Sequence, residues 1–263
     1  MRVNVGGWPA LGGLRIGCVQ YLNARPLIHA FEGPVRFGHP SDLARQMDSG
    51  ELDAGLIPIF EALRGNAYAV VDGVAIACDG PVYSVFLAHS GPIREIRRVR
   101  LDPASSTSVH LLKVLLGEYH QLDPEYTTGV DGPSEDPLLL IGNQAIEFRR
   151  SHADTHQFLD LGAEWKRCTG LPFVFALWLL RPDLPDLGLV AEGFRNLQKM
   201  GAEKIAEIIS HEDFQDAEFR TAYLAGHIRF RLGALEKEAI ERFQALLSKH
   251  GFIRDADRRL AYC

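Results

Sequence analysis

Short apolar blocks alternate with capped helical segments along the first 150 residues, and that alternation restricts the chain to few architectures. Leu14-Arg15-Ile16-Gly17-Cys18-Val19 reads as a first strand. Asn23 and Pro26 then favour a helix over roughly 24–31, because Asn caps a helix and Pro suits its first turn. Pro40-Ser41 opens a short helix carrying Leu43 and Met47 at i, i+4, which Gly50 stops. Leu52 to Ile57 is strand-like, and Pro58 starts a helical turn with Ile59, Phe60, Ala62 and Leu63 that ends at Gly65. Tyr68 to Ala77 and Val82 to Ala88 are β-branched and aromatic runs of strand character.

The pattern repeats after residue 100. Ser105-Ser106-Thr107-Ser108 heads a helix bearing Leu111, Leu112, Leu115 and Leu116. A Gly/Pro/Asp-rich connector, Gly129 to Pro137, precedes the apolar strand Leu138 to Ile141, Gly142 and a helical turn over Asn143 to Arg149. Phe173 to Trp178 is the most apolar strand, and residues 188–250 are mostly helical in pattern, with Ile240, Phe243, Leu246 and Leu247 on one face and Gly251 as a stop. Alternating βα units imply an α/β protein with mainly parallel sheet. Two such runs and a helical tail imply two lobes, the tail packing back on the first and a small ligand held between them.

With 46% hydrophobic residues the chain buries a sizeable core. Lys and Arg number 28 against 34 Asp and Glu, a net charge of −6, which disfavours nucleic acid or an anionic membrane as partner. The longest apolar stretch, Phe173 to Leu180, falls far short of the ~20 residues of a membrane helix. The amino terminus has no segment of secretory-signal character. Cys18, Cys78, Cys168 and Cys263 form no Cys-x-x-Cys pair and read as reduced thiols. A cytoplasmic protein is the expectation.

Neither a Walker A loop nor a Gly-x-Gly-x-x-Gly turn occurs. His152 and His156 share a helix spacing but lack an accompanying Glu or third ligand, so no metal is expected. The hydroxyls of residues 105–108 stand where a helix amino terminus leaves N–H groups unpaired; they suit either a carboxylate or phosphate, or simple capping.

Several stretches carry a further signal in order: Gly17-x-Val19-x-Tyr21-Leu22-Asn23-x-x-Pro26-Leu27, Gly50-Glu51-Leu52-Asp53-Ala54-Gly55-Leu56-Ile57-Pro58, Ser84-Val85, Ser106-x-Ser108, Leu140-Ile141-Gly142, Asp160-Leu161-Gly162-x-Glu164-Trp165 and Thr169-Gly170-Leu171-Pro172-Phe173-Val174-Phe175-Ala176. Together they resemble the chorismate dehydratases of the futalosine route to menaquinone, densely over residues 14–180 and loosely beyond. A sister enzyme of that route, a dihydroxynaphthoate synthase, opens with a Ser-Pro-Cys-Pro-Asn-Asp-like motif where this chain has Tyr21-Leu22-Asn23.

The resemblance implies a two-lobe fold similar to type II periplasmic binding proteins. Its hinge crossings would fall near Val82–Ala88 and Phe173–Trp178, with lobe one at 1–91 plus 176–263 and lobe two at 92–175. It implies the loss of water from chorismate without cofactor or metal, Asn23 and Ser84 being catalytic and Tyr21, Ser106, Thr107, Ser108, Gly142, Asn143, Pro172 and Phe173 binding substrate. The family commonly carries Asp after Leu-Ile-Gly; Asn143 stands here, followed by Gln144, so a hydrogen-bonding role survives and a carboxylate role does not.

None of the matched polar residues is a good base near neutral pH, which points to the substrate's enolpyruvyl carboxylate as proton acceptor, with Asp53, Glu61 or Glu164 as alternatives. Asn23 as a helix cap, Ser84 as a strand hydroxyl, and Tyr21 and Trp165 as packing rings are the structural alternatives. The rival functions on the same fold are a solute-binding protein for a small carboxylate and a ligand-sensing domain.

Overall fold

The computed structural model describes residues 9–65, 67–102, 106–128, 135–254 and 259–263. The chain opens with β1 (Ile16–Val19), buried throughout, and a 3-10 turn over Leu22–Leu27. That turn replaces the longer helix expected there: Pro26 has no N–H for an i→i−4 ladder, and the segment closes through tighter bonds, Ala24 N–H to Tyr21 O (3.0 Å) and Ile28 N–H to Arg25 O (3.1 Å). β2 (Val35–Gly38) leads to α1 (Pro40–Asp48), which buries Leu43, Ala44 and Met47. β3 (Ala54–Pro58), α2 (Ile59–Arg64) and β4 (Ala69–Cys78) follow.

The next stretch comprises β5 (Val85–His89), β6 (Arg98–Leu101), α3 (Ser106–Val114), which runs on as a π-turn over Leu115–Tyr119, β7 (Glu125–Thr128), β8 (Leu138–Ile141), α4 (Gly142–Ser151), β9 (Gln157–Asp160) and α5 (Leu161–Thr169). α5 is bounded by local chemistry: Asp160 accepts from Ala163 N–H, and Gly170 ends it in the left-handed region at φ 74°. β10 (Phe173–Leu180) precedes the tail of α6 (Leu187–Glu203), α7 (Ile205–His211), α8 (Ala217–Ala222), a π-turn over Tyr223–His227, β11 (Arg229–Leu232), α9 (Ala234–Lys249) and β12 (Ala261–Tyr262).

Two sheets form. The first runs β11-β4-β10-β3-β1-β2, with β12 beside β4; the second runs β7-β6-β8-β5-β9. β1 pairs parallel with β2 and β3, as βα units require. β10 is antiparallel to both β3 and β4, and β5 to both β8 and β9. The sheets are therefore mixed rather than mainly parallel, because a strand arriving from the other sheet enters in the opposite sense. Pairing places β5 in the second sheet and β10 in the first, so the chain passes between the sheets within residues 79–84 and returns between β9 and β10.

α6 packs across β4 and the 3-10 turn. Its closest approach depends on Gly201, where a Cβ would stand 1.7 Å from the Pro26 carbonyl oxygen. The tail is not purely helical: β11 adds an edge strand to β4 through the alternating Arg229-Phe230-Arg231-Leu232. The four cysteines are unpaired, and burial pushes the Cys18 thiol up to about 12. No helix among the described residues is long and apolar enough to cross a membrane.

Candidate active site

A cleft opens between the two sheets. The first sheet and its connections contribute Val19, Tyr21, Asn23, Leu56 and Ile76; the second side contributes Ser84, Thr107, Ser108, Ile141 and Gly142. Every polar side chain on the lining is a hydroxyl or an amide. Carboxylate, imidazole, ammonium and guanidinium groups are absent from it among the described residues.

Asn23 sits in the 3-10 turn, whose N-cap position is Tyr21, so it is no helix cap. Its Oδ1 is buried with no hydrogen-bond partner among the described residues, leaving an acceptor for a bound molecule. Ser84 is fully buried, and its Oγ lies 2.7 Å from the hydroxyl of Tyr223. Tyr21 is half-buried; burial, reinforced by the Asp102 charge, pushes its phenol up to about 12 and keeps it a neutral donor.

Gly142 begins α4 at φ 65°, and a Cβ on it would stand 2.7 Å from the Tyr21 ring, so only glycine brings this helix start against the opposite wall. Asn143 beside it accepts from Leu22 N–H (3.3 Å) through Oδ1, tying α4 to the 3-10 turn. This requires an acceptor and no negative charge, which Asn supplies as well as Asp. Gln144 donates to Asp102 Oδ2 at the end of β6.

Thr107 Oγ1 accepts from Phe60 N–H (3.1 Å), linking the first turn of α3 to the start of α2. The Ser106 hydroxyl is buried without a partner among the described residues, whereas Ser105 lies outside them. The starts of α3 and α4 thus converge on the cleft and turn positive dipole ends toward it, a substitute for the missing basic side chains.

Pro172 and Phe173 stand off the lining. The Pro172 carbonyl accepts from Trp165 Nε1 (2.9 Å), and Phe173 is 1% exposed in an aromatic cluster with Trp165, Phe175 and Phe243. Phe175 and Ala176 face the cleft instead. A shift in the pairing with β4 between Val174 and Ala176 inserts an extra residue, which turns both neighbours to one side.

The three carboxylates considered as bases are also elsewhere, each engaged by a cation. Asp53 pairs with Arg15 (2.5 Å), Glu61 with Arg64 (2.6 Å), and Glu164 with Arg167 (2.5 Å) and His120 (2.7 Å). Hydrogen bonds from Arg15 and Arg167 hold the Asp53 and Glu164 carboxyls below the usual carboxylate range. His152 stacks on Phe148, and no set of three or more His, Cys, Asp or Glu among the described residues is placed to hold a metal ion.

Residues 14–249 match the family described as menaquinone biosynthesis. The chain belongs to this menaquinone-biosynthesis family. Relatives include a protein named chorismate dehydratase from Thermus thermophilus, 32% identical over 75% of this chain and 80% of its own length. Another of that name, from Campylobacter jejuni, is 28% identical over 59% of this chain and 58% of its own.

Solved structures place the family member's fold among periplasmic-binding-like proteins. An Archaeoglobus fulgidus protein superposes with a TM-score of 0.75 at 17% identity, covering 91% of this chain and 98% of that one. A Candida albicans protein described as having the generic periplasmic binding protein fold gives 0.63 at 12%, over 93% and 92%. The periplasmic aliphatic sulphonate binding protein of Escherichia coli gives 0.56 at 13%, over 94% and 89%.

Besides Phe175 and Ala176 on the lining, sequence reasoning missed Tyr223, which bonds Ser84 from behind the cleft. It lies 139 positions beyond Ser84, in the tail read only as a helical stretch. No local motif marks it. The nearest signal is Gly226 within Tyr223-Leu224-Ala225-Gly226-His227, where the helix widens into a π-turn.

Proposed function

We propose that this chain is a chorismate dehydratase, a lyase that converts chorismate to 3-[(1-carboxyvinyl)oxy]benzoate and water. Family membership and the relatives' names support the assignment. The observation that carries the mechanism is the lining itself, which offers donors and acceptors but no base among the described residues.

The reaction removes the ring hydroxyl and the neighbouring ring proton, and aromatisation drives it. The protein's task is to hold a dianion in reactive geometry and ease departure of the hydroxyl. Helix starts and the Thr107 and Ser108 hydroxyls receive the carboxylates. The substrate's enolpyruvyl carboxylate takes the ring proton, since it already stands beside that carbon. Ser84 donates to the departing hydroxyl oxygen, and the free Oδ1 of Asn23 accepts that hydroxyl's proton in a hydrogen bond. The departing oxygen and the abstracted proton leave as water.

Ser84→Ala and Asn23→Ala test these roles. Each is expected to lower kcat about a hundredfold, with KM less affected, in steady-state assays of chorismate consumption. A pair of variants that keep near-wild-type turnover would remove both residues from the mechanism. A pH–rate profile demanding an ionised group of the enzyme would replace substrate assistance by an enzyme base.

A further inference from the structure

Ser84 is fixed from two independent directions, and only one of them concerns its hydroxyl. Its backbone is set by the residue before it. Tyr83 has φ 67°, and Ser84 N–H bonds back to Val82 O (2.8 Å), an i→i+2 γ-turn of the strained hand. Asp160 holds that turn by accepting from Val82 N–H (3.0 Å) and Tyr83 N–H (2.7 Å), while the Arg149 guanidinium covers the Tyr83 ring at 4.3 Å. Strain of this kind persists only where its surroundings over-determine it.

The hydroxyl is met by the tail. The π-turn over residues 223–227 grips the same crossing segment at both ends: His227 Nδ1 bonds the Pro81 carbonyl (2.9 Å), and the Tyr223 phenol lies 2.7 Å from Ser84 Oγ. Tyr223 is 1% exposed and off the cleft lining, so it reaches a ligand only through the two lining residues it bonds, Ser84 and Asn23. Burial pushes its phenol well above the ordinary range, with its hydrogen bonds to Ser84 and Asn23 offsetting part of the effect. Its proton therefore stays on oxygen.

The proton directions follow from the inventory of donors. With Asn23 Oδ1 unpartnered, the amide bond to the phenol runs from the Asn23 N–H to the Tyr223 oxygen. The phenol's single proton is then available to Ser84 Oγ, and the Ser84 proton is left for the cleft. Such a chain strengthens each bond in turn.

We propose that Tyr223, supplied by the carboxy-terminal tail, is a positioning residue that sets the Ser84 hydroxyl as a hydrogen-bond donor to the departing group of the substrate. The inference rests on the chorismate dehydratase reading and adds a residue to it.

Tyr223→Phe removes one oxygen and keeps the ring. Its kcat on chorismate is expected to fall about tenfold with KM within about twofold. In a Ser84→Ala background the same change is expected to cost less than about threefold, because the hydroxyl it chiefly serves is gone and only the Asn23 contact is left to lose. A residue that only packs would cost the same factor in both backgrounds, and that result overturns the proposal, as does unchanged kcat for Tyr223→Phe alone. Should Tyr223→Phe melt too low to assay, difluorotyrosine installed at position 223 keeps the packing and acidifies the phenol. Loss of activity at a lower pH than in wild type supports the proposal, and an unmoved alkaline limb contradicts it. Wild-type protein that leaves chorismate unchanged fails the functional reading itself; active wild type with an indifferent Tyr223→Phe fails only the role of Tyr223.

Discussion

Asn143 shows how little chemistry separates a tolerated residue from a damaging one in this site. Its Oδ1 receives the Leu22 N–H, one of the donors that the start of the 3-10 turn leaves unpaired, and so holds the Asn23 turn against α4. Asn143→Ala removes the acceptor and is expected to lower kcat/KM about tenfold. Asn143→Asp keeps an acceptor in place and is expected to stay within about threefold of wild type. Steady-state kinetics of the two variants check this, and equal losses would show that the Leu22 contact does not position the turn. The neighbouring Gly142 serves the same junction sterically, through its approach to Tyr21.

Among the elements, α6 has the clearest consequence for the site although it contributes nothing to the lining. It lies on the 3-10 turn that presents Asn23, and the Gly201 position allows the Pro26 carbonyl to approach it. Gly201→Ala would drive a Cβ into that carbonyl, so helix or turn must move. A loss of about 1–3 kcal/mol is expected, together with reduced kcat, measured by denaturant unfolding and turnover on the same preparation. A variant as stable as wild type would mean that α6 shifts freely and does not hold the turn. The elements legible in the sequence were those whose signals are local: Pro40 and Gly50 around α1, the Ser/Thr cluster of α3, and the apolar block of β8. β2, β7 and β9 escaped because they are four residues long and only partly buried, so neither alternation nor an apolar run marks them. β11 does alternate, but over four residues only, too short to stand out within the helical pattern of the tail.

Across the whole molecule, buried and bridging carboxylates tie the parts together. Glu164 on α5 pairs with Arg167 and with His120 beyond the π-turn that continues α3, and Glu118 in that turn pairs with Lys249 and His250 of the tail. Both carboxyls are held below the usual range, Glu164 first by Arg167 and Glu118 first by Lys249. A depressed folded-state pKa means that the unfolded chain takes up protons first. The stabilisation is then complete above about pH 4.3, the unfolded carboxyl value, and is lost as pH falls through the lower folded values. Glu164→Gln is expected to flatten the acid limb of stability against pH in chemical denaturation. An acid limb as steep as that of wild type would assign the effect to other groups.

The site was legible at this scale only in part. Tyr21, Asn23, Ser84, Thr107, Ser108 and Gly142, read from separated stretches, line one cleft. What lay beyond reading were facts of three-dimensional register: the bulge in β10 that puts Phe175 rather than Phe173 on the lining, and the return of the tail that brings Tyr223 to Ser84.

The most direct measurement is to incubate the purified chain with chorismate and follow substrate and products by liquid chromatography and mass spectrometry, with Ser84→Ala alongside. The expected result is stoichiometric conversion to an aromatic dicarboxylate lighter by one water, strongly reduced in the variant. Chorismate that survives unchanged with folded wild-type protein, even where it raises the melting temperature by binding, would contradict the account and leave a binding protein in its place.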